Sequence, residues 1–256
     1  MTSFLHSFQS EWLKKRHSAS SWLTLIGGFF VPFLILIARL VDFGSLAAGN
    51  ASNHLWESLN GRSWQFMALF LLPMGVVLVT SLITQLEFRN NTWKQLHTTP
   101  QRLTTIFFAK LAVIGVLLLQ FFVLFNIGIY LAGVAPSLFR GVPYPTEAFP
   151  FREFLKASGW YFIDCLPIVA LQYLISLQSR NFMVPIGVGL GLYVSSMICV
   201  FWKYGYTNPY GYCALRFLGK NSKVDPTVNI HGWAIGYFVL FTLLSYILYI
   251  TKKEKG

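Results

Sequence analysis

Ser63–Leu86 reads SWQFMALFLLPMGVVLVTSLITQL, with Arg62 before it, Glu87 after it and no charged residue between. An α-helix needs about 20 residues to cross roughly 30 Å of hydrocarbon, so this stretch is long enough to span a bilayer. Five more runs have the same character. Together they predict spans at about 21–39, 63–86, 108–131, 157–177, 181–202 and 232–250. The fold class read from this pattern is an all-α integral membrane protein: a single transmembrane domain, 1–256, of six helices. In lipid each spanning segment must satisfy its own backbone hydrogen bonds, which favours helices here.

The bulk composition agrees. Of 256 residues, 55% are hydrophobic and 11% charged, and the mean hydropathy is +0.55. Soluble domains carry about 25% charged residues, so a water-exposed surface could not be covered by this chain. The net charge of +11 comes from basic residues flanking the apolar runs, where headgroups and the positive-inside rule select them. No basic stripe is left over for nucleic acid. The first run starts near Ser21 and is long enough to be a retained helix rather than a cleaved leader.

Six spans return both termini to one side. That side carries eleven basic residues against Glu11, Glu87 and Glu254, and the other carries nine against five acids in longer loops. The bias predicts that both termini are cytoplasmic. Ahead of the first span, residues 1–20 are expected to hold an interfacial helix. Phe4, Leu5, Phe8, Trp12 and Leu13 recur at helical spacing, with Lys14, Lys15 and Arg16 at the headgroups. Trp22, Trp64, Trp160, Trp202 and Trp233 at span ends read as interfacial anchors. The outer loops are Val41–Arg62, Ala132–Lys156 and Lys203–His231. Pro136, Pro143, Pro145 and Pro150 make the second irregular, and the Tyr- and Gly-rich third could dip back into the outer leaflet.

Catalytic patterns are absent from the sequence: no GxxxxGK[ST], no HExxH and no GxSxG. Cys165, Cys199 and Cys213 have no metal or redox spacing, and Cys213 reads as alone in a loop. Asp164 is the one acid well inside a span, about 12 Å past Lys156 at roughly 1.5 Å per residue. It reads either as a helix-pairing residue or as the centre of an ion-coupled carrier. Gln120, Asn126 and Gln172 suit hydrogen bonds between helices. Gly187, Gly191 and Ser195 follow a small-xxx-small pattern that suits helix packing, and Pro32, Pro73, Pro167 and Pro185 are candidate kinks.

The loop 87–107 between spans two and three is the most informative segment. Glu87, Arg89, Asn91, Thr92, Trp93, Lys94, Pro100, Arg102 and Lys110 mix charges, an aromatic and a helix breaker, and predict a short amphipathic cytoplasmic helix, a turn and re-entry. Here the chain resembles the ABC-2 type permease family, whose members carry an acid, a Gly/Asn-x-Thr-Lys-like step, a proline, a basic residue and a lysine leading into span three. Glu87, Asn91, Thr92, Lys94, Pro100, Arg102 and Lys110 fill those positions, with Asn91 where many members have Gly. Glu11, Trp12 and Lys14, the length and the layout are similar too, so the resemblance covers the whole chain. The subgroup most like it is the small permease subunits of bacterial exporters, including those giving lantibiotic self-immunity.

The resemblance implies a permease half that is not itself an enzyme and holds no cofactor. It would pair with a second half, the same chain or a paralogue, and with two copies of an ABC ATPase subunit that bind ATP and Mg. The loop after span two would form the coupling helix that docks on the ATPase, and an amphipathic peptide or lipid-like substrate would pass along spans one, two and five. Two other classes remain open on the residues alone: a membrane scaffold with no transport cycle, and the Asp164 carrier.

Overall fold

The computed structural model describes residues 2–16, 18–89, 102–179 and 181–251. Among them the chain is built from helices. α1 is Thr2–Lys15, α2 Ala19–Val41, α3 Phe43–Asn50 and α4 Leu55–Phe66. A π-helical turn, Met67–Leu71, leads into α5, Leu72–Arg89. After residue 102 come α6, Leu103–Arg140; α7, Phe151–Gln178; and α8, Met183–Cys199. A short 3-10 turn precedes α9, Tyr212–Leu218, and α10 is Ile230–Thr251.

Five helical stretches are long and apolar enough to cross a bilayer: α2, Leu55–Leu86, α6, α7 and α10. The fifth expected span is shorter. α8 has 17 residues, about 25 Å at roughly 1.5 Å per residue, against some 30 Å of hydrocarbon. Conversely, the 38 residues of α6 extend about 57 Å on the same rise, well past the expected 108–131 at both ends.

The expected outer loops are largely structured. Val41–Arg62 contains α3 and most of α4. Pro136 does not break α6, which continues to Arg140 and ends on Gly141 at φ +64, a left-handed cap that glycine adopts without a Cβ penalty. Proline lacks the N–H that would bond the carbonyl four residues back, so Pro136 orphans Ala132. Arg39 supplies the missing donor: its Nη1 donates to the oxygens of Ala132 at 2.7 Å and Gly133 at 3.0 Å. Its Nη2 donates to Asn50 Oδ1, and Asn50 Nδ2 donates on to Ser137 Oγ and the Pro143 carbonyl.

The same device recurs in span two. Pro73 orphans the Leu69 carbonyl inside the π-helical turn, and Tyr193 Oη of α8 donates to it at 2.6 Å. Span two is therefore widened at a proline and tied to α8 at the same point.

α2 lies along α6, α10 along α7, and α5 sits against α2, α7 and α8. The α2–α6 seam is close because glycines face it. A Cβ on Gly28 would come 2.9 Å from Leu124, and one on Gly128 would come 2.8 Å from the Pro32 ring. Behind the seam is an aromatic core in which Trp64 stacks on Tyr161 at 3.7 Å and meets Phe125 edge-on at 4.9 Å. Trp64 is thus buried core rather than an interfacial anchor, whereas Trp22, Trp202 and Trp233 are exposed as anchors should be.

α1 packs on α6 with its polar stripe inward. Ser7, Glu11 and Lys15, four residues apart, are buried, while Phe4, Leu5 and Leu13 face out. The expectation of Lys15 at the headgroups is corrected: its Nζ lies 3.3 Å from the centroid of the Trp12 ring, because the four-residue spacing places it on the protein side.

Candidate functional site

An apolar cleft of about 330 Å³ opens between α2, the π-helical turn with α5, and α6. Its walls include Ile26 and Phe30 from the first span, Phe70 and Gly75 from the second, and Leu117 and Phe121 from α6. Ile26, Phe30 and Phe70 are exposed at its mouth. Nothing stands within 4 Å of a Cβ built on Gly75, so that glycine opens the wall rather than tightening a contact. The widened turn shifts the helix register by one residue just where Phe70 reaches the mouth. π-turns of this kind cluster at functional positions. The polar groups inside are hydroxyls. Thr24 Oγ1 is tied back to the Ser20 carbonyl at 2.9 Å, and the buried Thr80 Oγ1 has no partner among the described residues.

A polar relay crosses the bundle toward the 201–231 end. Asp164 is fully buried on α7, and His231 Nδ1, on the first turn of α10, donates to its Oδ1 at 2.7 Å. Arg216 Nη1, on α9, donates to His231 Nε2 at 3.3 Å. The imidazole is stacked 4.3 Å from Trp160, and the guanidinium lies 5.1 Å from the Tyr161 ring. Asp164 thus ties α7 to α10 and is joined to an arginine of α9 through the imidazole.

A second network fixes the segment before α9. Gln172 Nε2 donates to Ser81 Oγ at 2.8 Å and to the Pro185 carbonyl at 2.7 Å, and Tyr210 Oη donates to Gln172 Oε1 at 2.9 Å. These bonds join α5, α7 and α8 to the buried 210–215 segment. Cys213 is correspondingly not alone in a loop: it sits buried on α9 with its Sγ 3.3 Å from that of Cys165. The loop turns back into the bundle because Tyr210, Tyr212 and Cys213 fill it.

The sequence-predicted site residues fall in different places. Glu87 and Arg89 lie in the last turn of α5; Asn91, Thr92, Trp93, Lys94 and Pro100 lie outside the described residues. Arg102 is exposed and precedes α6 as its N-cap residue. Lys110 is not part of a loop: it is buried two turns into α6, with its Nζ 3.8 Å from Glu11 Oε2, while Glu11 Oε1 holds Lys14 at 2.5 Å. Gly187 and Gly191 are exposed and a Cβ on either meets nothing within 4 Å in this chain. The close approach falls on Gly189, whose Cβ would come 2.6 Å from Gln172 Oε1 and 2.7 Å from Val77. Ser195 Oγ accepts from Asn208 Nδ2 at 3.1 Å.

The family model described as "ABC-2 family transporter protein" matches residues 7–196, most of the chain and all of the cleft. The chain belongs to the ABC-2 transporter family. As an ABC-2 membrane protein with several long apolar helices, it is a multi-pass membrane permease. Neither the curated proteins nor the solved structures give a significant match. The matched region of this ABC-2 chain ends before the cavity-forming 201–231 segment.

Arg216, His231, Tyr210 and the cleft were not singled out from sequence. One signal pointed to His231: a lone carboxylate inside a span needs a buried partner, and His231 stands at the start of the sixth run.

Proposed function

We propose that this chain is the membrane-spanning half of an ABC-2 exporter, moving an amphipathic peptide or lipid-like substrate with ATP hydrolysed in a separate ATPase chain. The observation that carries the reading is the cleft: an apolar chamber between the first two spans, open toward the lipid-facing side, with hydroxyls as its polar groups. Such a chamber suits the apolar part of a substrate that arrives from the bilayer. A lantibiotic-like peptide has that chemistry. Family membership supports a partner ATPase, and the sequence carries no phosphate-binding loop of its own. In this reading two ATPase copies bind ATP and Mg, and a second permease half, identical or paralogous, completes the path. The 87–107 loop docks on the ATPase from the cytoplasm of a bacterial cell, with both termini on that side. ATPase closure then drives rigid-body rocking of the helices.

The geometry of Asp164 favours this over an ion-coupled carrier. Its carboxylate is fully buried and bonded to His231. Co-expression with the ATPase encoded nearest to this chain tests the proposal. The expected result is a stable complex that contains both chains and survives purification. A chain that purifies without any ATPase, while exporting activity in cells persists in an ATPase deletion, overturns it.

A further inference from the structure

Beyond the cleft, residues 201–203 after α8, α9 and the 219–231 segment line a separate open cavity of about 1240 Å³. Its lining carries Lys203, Arg216 and Lys223 with His231, against one carboxylate, Asp225. That carboxylate is already engaged, accepting from the Thr227 backbone N–H at 2.9 Å and from its hydroxyl at 2.8 Å. Lys203 and Lys223 are exposed. No carboxylate lies within ion-pair distance of Lys203, Arg216 or Lys223 among the described residues.

Arg216 is held in place rather than left to wander. Its guanidinium lies 5.8 Å from the Trp160 ring centre and 5.1 Å from that of Tyr161, and Nη1 donates to His231 Nε2. With Nε2 accepting, the imidazole proton sits on Nδ1 and is donated to Asp164. The buried carboxylate thus balances the guanidinium from behind, through a neutral ring. A guanidinium has five N–H donors, and a single one goes to the imidazole. The remaining fork has the planar donor geometry that matches phosphate oxygens, and the two lysines add positive charge to the same lining. Most of the remaining lining is apolar, including Phe201, Trp202, Leu215, Val224, Val228 and Ile230, with Ser222 and Asn229 as its neutral polar side chains. Phe201 and Trp202 are exposed at the rim, where interfacial aromatics sit beside headgroups.

We propose that this cavity binds a phosphate group, carried on an anionic lipid headgroup or free in solution. The apolar walls around the cationic centre favour the lipid as source. The proposal does not depend on the exporter reading, because binding needs only this chain. The test is native mass spectrometry of the full chain in phosphate-free detergent, titrated with phosphatidylglycerol in one arm and inorganic phosphate in the other. The deciding variant is K203Q/K223Q, since both side chains are exposed and leave the helix contacts intact. R216Q and R216K then separate charge from fork geometry.

The expected result is a saturable phosphatidylglycerol adduct whose affinity falls about tenfold in K203Q/K223Q. Arg216→Lys should recover little of what Arg216→Gln loses. Binding of inorganic phosphate with the same variant dependence, and none of the lipid, supports the site with an aqueous source. If neither ligand binds, or if both bind equally well to K203Q/K223Q and wild type, the proposal is overturned.

Discussion

Replacing Gly128 by alanine puts a methyl group between α6 and α2 where there is no room. The new Cβ would lie 2.8 Å from both Cβ and Cγ of Pro32 and 3.2 Å from Phe29 Cδ1. Carbon atoms rest at about 3.5–4.0 Å, so the seam must open by about 1 Å. A proline ring inside a helix has no rotamer to escape into, so the cost falls on the backbone. Overpacking of this kind costs roughly 1–3 kcal/mol, partly offset by the ~1 kcal/mol that glycine forgoes in a helix. Gly115 is the internal control: it lies in the same helix, and a Cβ there meets nothing within 4 Å. G115A should therefore be neutral or stabilising by up to about 1 kcal/mol. For a chain of this size each kcal/mol moves Tm by about 2–4 °C. Thermal unfolding of the purified protein in detergent, followed by tryptophan fluorescence, should show G128A down by up to about 8 °C and G115A unchanged or up. Equal shifts of the two variants in the same direction would refute the seam.

Three further outcomes follow from other parts of the molecule. In a Cys199→Ser background, mild oxidation of the chain should join Cys165 to Cys213 within one molecule, read as a linked peptide pair by mass spectrometry; two free thiols after oxidation would mean that α9 does not return to α7. Gly75→Leu should fold normally, because open space faces Gly75, yet fill the cleft and lower transport several-fold; full transport would remove the cleft from the substrate path. Burial pushes Lys15 down to about 8 from its ordinary 10.5. The folded state then binds fewer protons than the unfolded state between those values, so stability should rise with pH from about 8 to 10.5. Lys15→Met should flatten that rise, and an unchanged profile would place the slope elsewhere.

The long apolar runs were legible because span length and charge spacing are set locally by hydrocarbon thickness. What escaped was tertiary. Pro136 read as a breaker and Pro73 as a kink, since sequence shows the missing N–H but not the donors that replace it, Arg39 and Tyr193, which lie far along the chain. The inward face of α1 was hidden for a similar reason. A stripe of Ser7, Glu11 and Lys15 looks solvated until Lys110 appears opposite Glu11. Gly187 and Gly191 repeat every four residues, but within this chain the close contact falls between them, on Gly189 against Gln172 and Val77. Asp164 was flagged by its cost in the membrane; its partner required knowing that α10 runs along α7.

In the proposed cycle this ABC-2 permease converts ATP turnover in another chain into movement of an amphiphile. The direct measurement is transport in proteoliposomes containing this chain and its ATPase, with hydrolysis recorded in parallel, for wild type and for W93A and P100A in the 87–107 loop. Transport should require both chains and ATP, and the loop variants should hydrolyse ATP while transporting several-fold less. Transport that persists without the ATPase, or loop variants that move substrate as well as wild type does, would contradict it.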